Sequence, residues 1–126
     1  MNTLQRYTLW VDGLGGLLVG LLVLLISSWL SGLHGLPHGF VLFMGSMNLL
    51  YGTSATALAM RSTRPIALLR LLAVANMGWA IACVGGVTWH WESVTAFGLL
   101  HLLGEGVYVA ALGLAEWHWQ RALQTR

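Results

Sequence analysis

The ionisable side chains in the last apolar stretch, residues 94–117, are the ones in this sequence most able to do chemistry. His101, Glu105 and Tyr108 follow one another at i, i+4 and i+7. At 100° per residue these positions share one side of a helix, and Glu116, at i+15, falls on the same strip. An ionised side chain deep in a membrane costs about 2.5–3.5 kcal/mol on insertion scales. A carboxyl group at this depth therefore implies a partner or a function.

Two other apolar stretches place polar side chains at a similar depth. Counting about 1.5 Å per residue, Asn48 and Asn76 come close to the level of Glu105 near the bilayer midplane. We therefore predict a ligand- or proton-binding cluster, whose members are Glu105, Asn48, Asn76, His101, Tyr51 and Tyr108. The alternative is a lock, in which the same groups only hydrogen-bond to one another and fix the register of the helices. The sequence leaves both interpretations open.

A second polar layer is expected closer to the basic flank of the chain. Asp12, Arg70 and Glu116 each lie five or six residues inside a flanking arginine, which is about 7–9 Å at the helical rise per residue. Arg70 is the only cation at that depth, so the simplest arrangement is an ion pair of Arg70 with Asp12, with Glu116 nearby. An arginine can also extend to the interface, so direct pairing stays an open hypothesis.

The remaining histidines do not form a convincing cofactor site. The outer links carry three histidines and one acid, namely His34, His38, His90 and Glu92. Pro37 interrupts the spacing of the first two histidines, so the i, i+4 geometry of a helical metal site fails. Haem held by two histidines requires both at one depth, and only His101 is expected inside the membrane. We predict no metal and no cofactor, with a weak surface metal site as the alternative.

The elements that must position these residues follow from composition. The chain has 126 residues, of which 57% are hydrophobic and 8% charged, whereas a soluble domain has about 25% charged residues. Four apolar stretches, 8–30, 40–60, 66–87 and 94–117, are each long enough to cross a hydrocarbon core of about 30 Å. We therefore predict an all-α protein, a four-helix transmembrane bundle with up-down topology, in a single membrane domain over residues 1–126.

The arginines predict the orientation of that bundle. All basic residues are arginines, at the amino terminus, around the link between the second and third spans, and at the carboxyl tail: Arg6, Arg61, Arg64, Arg70, Arg121 and Arg126. The positive-inside rule makes these segments cytoplasmic, so both termini are expected inside a bacterial inner membrane. The isoelectric point near 9.2 then reflects topology and contact with lipid head groups, and no nucleic-acid partner is predicted. Most tryptophans fit two interfacial belts: Trp10, Trp117 and Trp119 inside, and Trp29, Trp89 and Trp91 outside.

Small residues mark the faces on which the helices pack. Gly13, Gly16 and Gly20 share one side of the first span, and Gly45 and Gly52 share a face of the second with Asn48. Without Cβ atoms two helices approach closely, which favours packing in lipid. We predict that these glycines pack helices within one chain, with a homodimer face as the alternative.

The motifs "VDGLGG" in the first span, "LP" before the second and "NMGW" in the third resemble those of a loose group of uncharacterised small four-helix bacterial inner-membrane proteins. This resemblance implies a fold and a location, and no activity. The sequence has no nucleophile–base pair and no catalytic zinc set, so we predict a protein that is not an enzyme. We expect it to bind or move a small hydrophobic or protonatable molecule around Glu105, and the carrier version of this role predicts a homodimer. The alternative is an accessory subunit of a larger membrane complex.

Overall fold

The structure is a computed structural model that describes residues 2–125. The described chain is helical apart from short links and an isolated β-bridge between Thr63 and Thr125. It contains five α-helices, where the sequence predicted four. They are α1 (Thr3–Leu25), α2 (Ser27–His34), α3 (His38–Ala59), α4 (Ile66–Trp89) and α5 (Ala96–His118), and a short 3-10 turn follows at Ala122–Gln124.

The additional helix comes from a break in the first predicted span, 8–30. Ile26 has φ −114° and ψ 26°, values that leave the α-helical region and separate α1 from α2. Helix α2 ends at Gly35, whose φ of 64° is the only positive φ among the described residues. Glycine adopts this left-handed conformation without a Cβ clash. The outer link is therefore partly helical, and α2 is a separate element at this end of the molecule.

Local sequence signals explain where the helices begin. Asn2 accepts a hydrogen bond from the Gln5 amide at 2.8 Å, and the Gln5 side chain accepts one from the Asn2 amide at 3.2 Å. This capping box satisfies two amide groups that have no partner within the helix. Helices α3 and α4 begin directly after Pro37 and Pro65. Proline suits this position because the N–H that it lacks has no helical partner there.

The long helices form two close antiparallel pairs. In the α1/α3 pair, a Cβ atom added to Gly16 would lie 3.0 Å from Gly52 Cα, and one added to Gly20 would lie 2.6 Å from the Leu49 amide nitrogen. The structure places all the glycines predicted to pack helices in this one interface: Gly13, Gly16, Gly20, Gly45 and Gly52. In the α4/α5 pair, Gly113 fits against Ala73 in the same way. By contrast, the backbones of α3 and α4 stay apart, and these two helices meet only through side chains, such as Phe43 against Trp79.

Three of the described helices, α1, α4 and α5, are long and apolar enough to cross a membrane. The remaining predicted span, 40–60, corresponds to α3, which has 22 residues but is not one of these three helices. Its many small and hydroxyl-bearing residues lower its mean hydropathy, although it contains no aspartate, glutamate, lysine or arginine. Large apolar side chains point outward around the molecule, for example Ile81, which is 74% exposed. Such a surface suits lipid, since soluble monomers avoid large apolar patches.

A buried arginine joins the carboxyl-terminal segment to the end of α3. Arg64 is 6% exposed and donates to the carbonyl oxygens of Leu58, Ala59 and Leu123 at 2.9, 2.8 and 3.0 Å. Its guanidinium therefore caps the last turn of α3, whose carbonyls lack helical partners, and ties the carboxyl-terminal segment to it. Leu123 and Leu9 are buried in the same apolar cluster.

Candidate functional site

The gap between α3 and α4 forms a partly open cleft of about 350 Å³. Its α4 wall carries the small residues Ala75, Gly78 and Ala82, spaced at three and four residues so that they share one helix face. Its α3 wall carries Phe43 and Met47, one turn apart. These small residues leave open the space that Trp79, the one bulky side chain lining the cleft from α4, does not fill. It is lined by Phe43, Met47, Asn48, Tyr51, Ala75, Asn76, Gly78, Trp79, Ala82 and Val109.

One polar cluster, the outer cluster, consists of His34, Trp79, His101 and Glu105. His34 Nε2 lies 2.8 Å from His101 Nδ1, and His101 Nε2 lies 3.1 Å from Glu105 Oε2. The indole N–H of Trp79 donates to Glu105 Oε1 at 3.0 Å. The amide nitrogen of Asn48 donates to the Met44 carbonyl at 3.0 Å, and its side chain lies near this carboxyl group. Three helices, α2, α4 and α5, therefore supply a chain of hydrogen bonds that ends at one carboxyl group beside the cleft.

Helix α2 is what brings His34 into this cluster. The Thr95 amide donates to the His34 carbonyl at 3.0 Å, and the Thr95 hydroxyl donates to the Leu33 carbonyl at 2.5 Å. These bonds hold the end of α2 against the start of α5, so that the rings of His34 and His101 meet at 88° with their centroids 5.0 Å apart. Burial, and secondly the neighbouring His101, lower the pKa of His34 below its usual value.

The other polar cluster, the inner cluster, consists of Asp12, Tyr51, Asn76 and Glu116. The Tyr51 hydroxyl donates to Asp12 Oδ2 at 2.5 Å. The amide nitrogen of Asn76 lies between the two acids, 3.1 Å from Asp12 Oδ2 and 3.2 Å from Glu116 Oε2. One residue comes from each of α1, α3, α4 and α5. The inner cluster therefore connects both helix pairs.

The residues predicted to surround Glu105 divide between these two clusters. His101 and Asn48 lie beside Glu105, as the sequence led us to expect. Tyr51 and Asn76 instead bind Asp12. Tyr108 belongs to neither cluster, because its exposed hydroxyl donates to the Val11 carbonyl at 3.1 Å.

The predicted ion pair of Arg70 with Asp12 and Glu116 requires correction. The Arg70 side chain lies at the surface, where its Nε donates to Gln120 Oε1 at 2.7 Å and its guanidinium lies 5.9 Å from the Trp117 ring centroid. Arginine can extend its long apolar stem and keep its charge outside. Among residues 2–125 the only basic side chain within 4.0 Å of an acid is His101, whose Nε2 lies 3.1 Å from Glu105 Oε2. The two acids of the inner cluster therefore have no basic partner.

The outer histidines do not converge on one point. His38 lies 3.0 Å from the Ser27 hydroxyl, and His90 packs edge-on against Phe40. Within the described part of the chain, no group of three or more histidine, cysteine or acidic residues is arranged to hold a metal ion. His34, predicted to stand with them in an outer link, is in contact with His101 instead.

Sequence reasoning missed Trp79 and the position of His34. Trp79 is the one tryptophan outside the two predicted interfacial belts, and it follows Asn76 by three residues. A tryptophan at such a depth requires a hydrogen-bond acceptor for its N–H. This requirement could have indicated that Trp79 contacts a buried polar group. No comparable signal existed for His34, because its contact depends on the break between α1 and α2.

Comparison with known proteins adds no relative: no family model, no curated protein and no solved structure matches this chain. The case for function therefore rests on the geometry of the cleft and its two polar clusters.

Proposed function

We propose that this chain is a non-catalytic protein of the bacterial inner membrane that binds a small hydrophobic molecule with a protonatable group in the α3–α4 cleft. One observation carries the proposal. Trp79 lines the cleft and donates a hydrogen bond to Glu105, and Asn48, which also lines the cleft, lies near the same carboxyl group. The walls of an apolar cavity are thus directly connected to a carboxyl group, which is the combination expected of a site for an amphipathic ligand.

The proposed membrane arrangement has four spans, α1, α3, α4 and α5, with both termini in the cytoplasm. Helix α3 enters this set because it packs along α1 through Gly16 and Gly52, which lets two apolar helices cross together. The arginine-bearing segments support the orientation, since Arg64 binds the Leu123 carbonyl and joins the carboxyl-terminal segment to the α3–α4 link.

The chemistry of the cleft favours a compact ligand with one polar end. Its volume of about 350 Å³ is at the small end of the range for ligand pockets. Phe43, Met47 and Val109 supply the apolar lining. The exposed side chains at its rim leave it open sideways between α3 and α4, so a ligand dissolved in the bilayer would enter directly. Movement of such a ligand across the membrane would use two copies, because one chain has little room for a pathway.

The test compares two adamantanes of the same shape, the charged 1-aminoadamantane and the neutral 1-adamantanol, by calorimetric titration of the protein in lipid nanodiscs. We expect saturable binding of the amine. We expect Glu105→Gln to weaken it about tenfold, which corresponds to about 1.4 kcal/mol, with little effect on the alcohol. Glu92→Gln is the matched control, because Glu92 is exposed in the outer link. Equal affinities of wild type and Glu105→Gln for the amine would contradict the proposal.

The second candidate function is an accessory subunit of a larger membrane complex, in which the polar groups only lock the helices. The inner cluster favours this candidate, since its hydrogen bonds join four helices. An accessory subunit would co-purify with a defined partner from native membranes and would retain it after Glu105→Gln. A protein that runs as a single copy without a partner in native membranes would contradict this second candidate.

A further inference from the structure

The two acids of the inner cluster lack the positive charge that their surroundings require. Asp12 is 2% exposed and Glu116 is 0% exposed. Glu116 Oε1 is a buried oxygen without a hydrogen-bond partner among the described residues. One amide, that of Asn76, serves both carboxyl groups. A buried charge without a partner is strongly unfavourable, so two adjacent carboxylates in this site call for a cation between them.

The groups around the pair do not supply that cation. Helix α3 contributes Tyr51, helix α4 contributes the neutral Asn76, and helix α5 contributes Tyr108, whose hydroxyl is bound to Val11. These tyrosines are titratable but not basic. Arg70, the arginine predicted to pair with these acids, is turned to the surface and bound to Gln120. A proton shared between the two carboxyl groups is the smallest cation that removes the repulsion, and it can donate to an otherwise unpartnered oxygen.

The inner cluster is also connected to the cleft. Tyr51 and Asn76 line the cleft, and the same two side chains donate to Asp12 and Glu116. A molecule in the cleft would therefore meet the donors that hold the acid pair. A cationic group in the cleft would lie next to Tyr51 and Asn76, on the side away from the two acids. Its positive charge would stabilise both carboxylates, so that the proton they share could leave.

We propose that Asp12 and Glu116 share one proton while the cleft is empty, and that a small organic cation entering the cleft releases it, so that binding exchanges a cation for a proton. This inference rests on the proposed function and specifies it: the ligand class is a compact hydrophobic amine in its charged form. The proton leaves from the carboxyl pair to solvent, and the amine brings its own proton and charge. Net charge within the membrane is thereby conserved.

The experiment is a titration of 1-aminoadamantane into the wild-type protein in weakly buffered nanodiscs near neutral pH, with a pH indicator recording proton release and calorimetry recording binding. We expect release of about one proton for each amine bound and none with 1-adamantanol. We expect Asp12→Asn and Glu116→Gln each to abolish release while a saturable calorimetric signal persists. Two variants are used because either substitution alone could prevent folding, which thermal unfolding of each variant would report.

The possible results separate the two proposals. Binding without proton release in the wild type would overturn the exchange and leave the proposed function standing. Release that is lost in Glu105→Gln but kept in both inner-cluster variants would also overturn it, because the exchanging group would then be Glu105. Absence of saturable binding of both adamantanes would contradict the proposed function and the exchange with it.

Discussion

The outer and inner clusters neutralise their carboxyl groups in different ways. In the outer cluster a single acid, Glu105, faces His101, and the indole of Trp79 donates to its other oxygen. In the inner cluster two acids face an amide and a phenol, and no base in the part of the chain that the structure describes reaches them. The outer carboxyl group thus has its own proton donor, while the inner pair depends on one amide and on a cation from elsewhere. The inner cluster should therefore respond more strongly to loss of a hydrogen-bond donor.

The largest effect is expected for Asn76→Leu. This change removes the donor shared by Asp12 and Glu116 while it keeps the side-chain size, so both buried acceptors lose a partner. Each buried polar group left unsatisfied costs about 1–3 kcal/mol, and we expect a loss of about 3 kcal/mol in the free energy of unfolding. The measurement is denaturant unfolding in micelles. Thr88→Val is the control on the same helix, because its hydroxyl is exposed. If Asn76→Leu lowered the free energy of unfolding no more than Thr88→Val does, the inner cluster would not stabilise the fold.

A smaller loss is expected for Tyr51→Phe, which deletes only the hydroxyl that donates to Asp12. A hydrogen bond to a charged group contributes about 1.5–3 kcal/mol, and the loss of unfolding free energy should fall in that range, measured by the same method. The matched control is Tyr7→Phe, at an exposed position of α1. If the two phenylalanine variants were equally stable, the short Tyr51–Asp12 hydrogen bond would have no net contribution to folding.

The smallest effect concerns pH and the outer cluster. Because the folded protein lowers the pKa of His34 below 6.5, the unfolded chain binds a proton first as the pH falls. The contribution of neutral His34 to stability is then complete above about pH 6.5 and decreases below it. We expect the melting temperature to fall by less between pH 7 and pH 5 in His34→Gln than in the wild type.

His118→Gln is the control for this pH series, since His118 is exposed at the other end of α5. It should keep the wild-type pH dependence of the melting temperature. Identical slopes for wild type and His34→Gln would show that the contact between His34 and His101 does not depend on the protonation of His34.

Residue spacing predicted the helical class and, closely, both ends of three helices. The spans predicted at 66–87 and 94–117 correspond to α4 and α5, and the span at 40–60 corresponds to α3. Pro37 and Pro65 mark the starts of two of these helices. The first span was predicted as one helix, because its apolar run shows no sign of the break at Ile26. Whether α3 crosses the membrane stays a prediction.

Depth counting identified the polar residues but not their partners. It placed Asn48 and His101 with Glu105, and it also placed Asn76 and Tyr51 there, whereas these bind Asp12 one layer away. A count along one helix leaves an uncertainty of about one turn, or 5.4 Å, and Asn48 and Tyr51, which lie beside different acids, are less than one turn apart on α3. The tilt and rotation of each helix against its neighbours decide which layer a side chain joins.

The sequence by itself determined that this chain is helical, rich in apolar surface, and polar at a few interior positions, because composition and periodicity act locally. Only the tertiary structure decided that Arg70 turns outward, that His34 reaches His101, and that α3 and α4 stand apart around a cleft. These contacts join residues that are far apart along the chain, such as His34 with His101, or Asp12 and Glu116 through Asn76. They depend on how helix faces of small residues and helix faces of bulky residues pack against one another, and no local sequence pattern encodes that geometry.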